Sequence, residues 1–163
     1  MTRPLLILDA NVLIDFHQVG IELLGLFVVH LGPVFIPMEV LKEARALSLE
    51  ACVSLGATIV EASFNDLTEA SSESKARLSF EDTLCLVMAR SNGWTCVTND
   101  RALRKSCKDA GVPIKWELEA ITEIHKAGGL TKEKALDYGL AIQACNAGYV
   151  TEEIMVRFRS SLQ

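Results

Sequence analysis

Asp9, Glu43, Asp82 and Asp100 are the residues of this chain whose types and placement could do chemistry. Each stands where an apolar segment stops or where a helical segment presents a face, so folding can gather carboxylates that lie far apart along the chain. Converging carboxylate oxygens seat a hard divalent cation such as Mg²⁺ or Mn²⁺, which keeps several of its waters. One such ion turns a bound water into a nucleophile and a second stabilises a leaving oxygen, which is the chemistry of phosphodiester hydrolysis. Asp9, Asp82 and Asp100 are the expected metal ligands, with Glu43 as a fourth acid.

Each acid also has a plainer explanation. Asp9 and Asp100 precede helical segments, where a carboxylate is stabilised by free backbone N–H groups and the helix dipole. Asp82 follows Ser79 by three positions and fits a helix-start pattern. Glu43 reads equally as a solvated helical residue, although Glu39, four positions earlier, shares its face and repels it unless a cation lies near. Asn11 and Thr98 are the neutral polar candidates for contact with a bound water or a phosphate. Past Asp100, Arg101, Arg104, Lys105 and Lys108 recur at helical spacing, where a phosphate backbone could meet them or where they are simply solvated.

Other catalytic arrangements are missing. The chain has no GxSxG elbow, GxxxxGK[ST] loop or GxGxxG fingerprint. His17, His30 and His125 are scattered, with no paired metal-ligand spacing, and read as surface or packing residues.

The elements that must position these acids follow from hydrophobic periodicity. Leu5 to Leu8 is a continuous apolar run of the kind expected for a strand buried on both faces. From Asn11 the spacing of Val12, Leu13, Phe16 and Val19 is helical, and the apolar segment from Ile21 to Leu31 is expected to continue as helix until Gly32-Pro33. Val34 to Ile36 reads as a second strand, and Pro37 opens a helix whose apolar face is Val40, Leu41, Ala44 and Leu47. Thr58 to Val60 reads as a third strand. The polar stretch from Ser63 to Ser79 is expected to be a short helix with a loose end, a lid or a plain surface connection. A helix from Ser79 to Gly93, a strand from Trp94 to Thr98, a helix from Asp100 to Gly111 and an extended piece around Pro113-Ile114 follow. Such alternation predicts one α/β domain with a parallel sheet and helices on both faces. The last third reads as helices around Leu118 to Ile124, from about Thr131 to Gly148, and after Thr151.

The composition is compatible with this reading. At 163 residues, half of them apolar, the chain can bury one sizeable core, and no uninterrupted apolar run is long enough to suggest a membrane span. No secretory leader is evident, and the five cysteines form no CxxC pair, so a reducing cytoplasm is the expected setting. A net charge of −5 argues against binding nucleic acid by bulk positive charge but not against a metal-dependent nuclease, whose acids are neutralised locally.

The stretches LLILDANVLIDF, VFIPMEVLKEAR, LSFEDTLCLVMAR and CVTNDRALRKSCKDAGV, in this order, resemble the successive motifs of PIN-domain ribonucleases over roughly residues 4 to 115. On that resemblance the family's acids fall on Asp9, Glu43, Asp82 and Asp100, with Glu43 completing the phrase Pro37-x-x-Val40-x-x-Glu43, and Asn11 and Thr98 match accessory polar positions. The resemblance implies a three-layer α/β/α fold with a central parallel sheet, a core over about 4–115 and a helical C-terminal extension over about 116–163. It also implies a Mg²⁺- or Mn²⁺-dependent endoribonuclease acting on RNA, and the spacing of Arg101 and Arg104 makes them the expected substrate contacts beside such a site. Many small relatives are toxins paired with an antitoxin protein, and dimers are common among them. A homodimer is also expected from the apolar run between Ile21 and Val29, which carries more apolar residues than one helix face buries. The competing readings are a PIN-like module that binds RNA or protein without cleaving, and a small-molecule phosphohydrolase, which would leave Glu43 unexplained.

Overall fold

The computed structural model describes residues 2–45, 47–74 and 77–163. Strand β1 (Leu6–Leu8) is completely buried on both faces, as its unbroken apolar run requires. Helix α1 (Ala10–Val19) follows at once. The segment after it is helical as expected but forms a separate helix: Gly20, at φ 149°, turns the chain, and α2 (Glu22–His30) leaves at 119° to α1. The apolar spacing on either side is helical, but only glycine readily adopts that backbone angle. Leu23, Leu24 and Phe27 of α2 are buried, whereas Val29 is 59% exposed, so most of this apolar run is covered by its own chain.

Strand β2 (Val34–Pro37) runs directly into α3 (Met38–Ala44). The helix expected to reach Leu47 stops earlier, because Arg45 takes a left-handed conformation at φ 55°. Leu47 is nonetheless buried, and a separate helix, α4 (Leu49–Ser54), starts where the Ser48 hydroxyl accepts a hydrogen bond from the Ala51 N–H. Strand β3 (Thr58–Val60) comes next.

The polar stretch after it forms α5 (Phe64–Glu73), started by a capping box in which Ser63 and Asp66 satisfy each other's backbone N–H groups. Arg90 of the following helix reaches Glu69 and Glu73 of α5 at 3.3 and 2.9 Å. Part of its expected loose end, residues 75 and 76, lies outside the described residues. Helix α6 (Phe80–Asn92), strand β4 (Thr95–Val97), helix α7 (Arg101–Asp109) and the short strand β5 (Ile114–Lys115) complete the alternation.

All five strands are parallel and lie in the order β3-β2-β1-β4-β5. Helices flank the sheet in a three-layer α/β/α arrangement. Three further helices close the chain: α8 (Glu117–Lys126), α9 (Lys132–Cys145) and α10 (Glu152–Ser161), the last two opened by Thr131 and Thr151. They pack on one another, and α8 and α9 pack on α2 and α1, so residues 116–163 complete one helical layer and share the core of the rest. Among the described residues no helix is long and apolar enough to cross a membrane; α1 and α2 pass such a test only as a sharply bent pair, and both contribute to the core.

Candidate active site

In a parallel sheet every strand ends at the same edge. The connection leaving β1 leads toward β2 and the chain later returns to β4 on the other side of β1, so the strand order opens a crevice at the ends of β1 and β4. Asp9 directly follows β1, and Thr98, Asn99 and Asp100 directly follow β4. Helix α6 runs into β4 from this edge, which puts its first turn, with Asp82, there too.

Both capping explanations hold. Asp9 Oδ1 accepts from the Val12 N–H at 2.9 Å, and Asp100 Oδ1 accepts from the Leu103 N–H at 2.9 Å. Capping takes only one oxygen of each acid. The second oxygen of Asp9 accepts from the Thr98 hydroxyl at 2.5 Å, and the same hydroxyl accepts from the Asp100 N–H at 3.0 Å. Thr98 thus ties the two acids together. It is fully buried, and its hydroxyl is bonded to both of them.

The acids feel one another. Burial pushes the Asp9 carboxyl up to about 7, opposed by the hydrogen bonds from Thr98 and Val12 and reinforced by the charges of Asp82 and Asp100. Burial likewise raises Asp82, Asp100 raises it further, and contact with Ser79 partly offsets both. Glu43 is raised by burial and by the charges of Glu81 and Asp82. These mutual repulsions bring Asp9, Asp82, Asp100 and Glu43 into one electrostatic cluster. Glu43 is exposed at its rim, next to the start of α6. Glu39 is half-buried, and its Oε2 is covered with no hydrogen-bond partner among the described residues.

The cluster is not a closed cage. Among the described residues no group of three His, Cys, Asp or Glu side chains is arranged to hold a metal ion, and Asp9 is fully buried with both oxygens hydrogen-bonded. Asp9, expected as a metal ligand, lies behind Thr98 in this structure, with both carboxylate oxygens engaged inside the chain. Asp82 and Asp100 are only partly covered, and none of the ion pairs among the described residues engages Glu43, Asp82 or Asp100. Asn11 is exposed in the first turn of α1, with Asp9 doing the capping there.

A second pair of acids lies behind the first. Asp15 and Glu117 are both buried, at 2% and 0% exposure. Glu117 Oε2 accepts from Asn99 Nδ2 at 2.7 Å, and Asn99 Oδ1 accepts from the Glu117 N–H at 3.2 Å. Glu117 Oε1 is buried without a conventional partner. Burial raises the Glu117 carboxyl well above its ordinary range and the adjacent Asp15 raises it further, while burial also raises Asp15, so the pair favours holding a proton. Asp15 also accepts from the Asn146 amide, 131 positions away. Glu117 thus holds Asn99, the residue between Thr98 and Asp100, through both ends of its amide. Sequence reasoning missed it, although a signal was there: Asp15 and Glu117 each occupy a position in the apolar stripe of their helix, where a charge needs a partner.

Of the basic residues on α7, Arg101, Lys105 and Lys108 are exposed. Arg104, one turn past Asp100, stacks over the Trp116 ring at 3.5 Å from its centroid. Burial lowers its pKa, which the Asp100 charge opposes, and no carboxylate pairs with it among the described residues. His125 Nδ1 bonds to the Leu130 carbonyl at 2.9 Å, a packing role, and the five cysteines are free, four of them buried.

No protein-family model matches the chain, and no curated protein matches it.

Proposed function

We propose that this protein is a Mg²⁺- or Mn²⁺-dependent ribonuclease of the PIN type. The observation that carries the reading is the joining of Asp9 and Asp100 by Thr98 in the crevice between β1 and β4, with Asp82 and Glu43 in electrostatic reach. The donor set fits a hard divalent ion: partly open carboxylates, no cation already paired with them among the described residues, and carboxylates that raise one another's pKa. Because no cage of three stands ready, Asp82 and Asp100 would hold the ion, which would keep most of its waters. Bound there, it supplies charge neutralisation and an activated water. Asp9 sets the local potential and holds Thr98, Thr98 fixes the Asp100 backbone, and Arg104 offers a phosphodiester its unpaired guanidinium. A toxin role, an antitoxin partner and a homodimer rest on the resemblance and on the exposed apolar side chains Val29, Leu140, Tyr149 and Val156.

A second reading, a module that binds RNA without cleaving it, is favoured by the full burial of Asp9. Single-stranded and structured RNA incubated with the protein, with and without Mn²⁺, separates the two. Cleavage that needs Mn²⁺ and vanishes in Asp82→Asn and Asp100→Asn supports the nuclease; binding with no cleavage under any divalent ion supports the module.

A further inference from the structure

We infer that Trp116 and the groove beside it form a base-binding subsite for single-stranded RNA, next to a phosphate position at Arg104. The inference rests on the ribonuclease reading and extends it from the acids to the substrate's neighbouring nucleotide.

Three observations carry it. The first is the Arg104 guanidinium, held 3.5 Å over the Trp116 ring, with its Nε buried and lacking a hydrogen-bond partner among the described residues. A cation stripped of part of its water, unpaired and pinned by stacking, is prepared for an anion, and a phosphodiester offers oxygens to its remaining N–H groups. The second is position. Arg104 is one turn beyond Asp100 on α7, and Trp116 follows β5 at the same edge of the sheet as the acids. A strand of RNA with one phosphate at Asp82 and Asp100 meets Arg104 next and Trp116 after it.

The third is the groove between α8 and α10, about 470 Å³ in volume, whose apolar wall is Trp116, Leu118, Ile154 and Phe158. Arg104 does not line it, so the indole stands between the guanidinium and the groove. The rim charges balance, Glu119 and Glu123 against Lys126 and Arg157, and Glu123 and Arg157 are already paired within the chain. Such a groove has no net attraction for phosphate and suits an uncharged, flat ring. Base stacking on an aromatic side chain is tolerant of sequence and requires an unpaired base, which makes the ligand single-stranded.

The test uses a Trp94→Phe background, in which Trp116 is the sole tryptophan; Trp94 is buried and stacked on Phe35, away from the acids. A short end-labelled single-stranded RNA is titrated in EDTA, where cleavage is absent, with Trp116 fluorescence and label anisotropy read together. The expected result is quenching of Trp116 along the same isotherm as the anisotropy, and none with a blunt duplex of the same sequence. Affinity should fall about tenfold in Trp116→Ala, be largely kept in Trp116→Phe, and fall similarly in Ile154→Phe, which fills the groove without touching the stack. Binding by anisotropy with unchanged fluorescence, and equal affinity in Trp116→Ala and Ile154→Phe, overturns the subsite while leaving the ribonuclease reading intact. RNA that neither binds nor is cleaved in Mn²⁺ overturns both.

Discussion

Asp9→Asn removes a fully buried charge while keeping an oxygen that can accept from the Val12 N–H. Asp9 titrates at about 7 in the folded protein and at 3.8 in an unfolded chain. Between those values the folded state holds a proton that the unfolded state has released, so folding stability falls as pH rises through this window and is fully present only below it. At about 1.4 kcal/mol per pKa unit the loss above pH 7 amounts to about 4 kcal/mol. The asparagine escapes that loss. Its cost is the Thr98 hydrogen bond, since an amide N–H₂ turned toward the hydroxyl cannot accept from it, and this is worth about 1–2 kcal/mol. The variant should therefore be more stable than wild type by about 2–3 kcal/mol at pH 8, less stable by about 1 kcal/mol at pH 4, and equal near pH 5. Urea unfolding followed by circular dichroism, in EDTA from pH 4 to 9, reads the difference directly. A variant destabilised by the same amount at every pH refutes the reasoning, because Asp9 would then be an ordinary ionised cap.

Asp100→Asn preserves an acceptor for the Leu103 N–H, so the fold should melt within about 1 kcal/mol of wild type in metal-free buffer, while Mn²⁺-dependent RNA cleavage is lost; retained cleavage would make Asp100 purely structural. Glu117→Gln mimics the protonated acid toward both Asn99 and Asp15 and should hold stability at pH 8, whereas Glu117→Ala leaves those groups buried and unpaired and should cost about 2–4 kcal/mol in urea unfolding. Equal effects of the two substitutions would mean that no proton is shared there. Light scattering at micromolar concentration should report about twice the monomer mass if the exposed apolar side chains are covered by a second copy across a two-fold axis, and a clean monomer removes the homodimer.

The central strands, the helix starts and the gathering of acids at one edge were legible because each has a local signature. Within the apolar run from Leu5 to Leu8, Leu6 to Leu8 form the strand buried between two neighbours while Leu5 stays exposed, Ser79, Thr131 and Thr151 cap the helices they precede, and a parallel alternation carries Asp9 and Asp100 to the same edge whatever the side-chain details. The breaks were less legible. Apolar spacing is helical on both sides of Gly20 and Arg45, so periodicity runs straight through two sites where the backbone turns, and the turn is visible only in φ.

What the sequence by itself determined is which residue types reach the crevice, and the α/β order that takes them there. Tertiary structure alone decided their environment. Asp9 is an acid at a strand end in either view, but its burial, its hydrogen bond from Thr98 and its raised pKa depend on β4 lying beside β1, 89 positions away along the chain. The same holds for Glu117, Asp15 and Asn146, three polar residues whose partners become evident only once α8 and α9 are packed against the helical layer of α1 and α2. Desolvation and pairing are properties of the assembled core, and burial of a charge is set by what closes over it rather than by its neighbours in the chain.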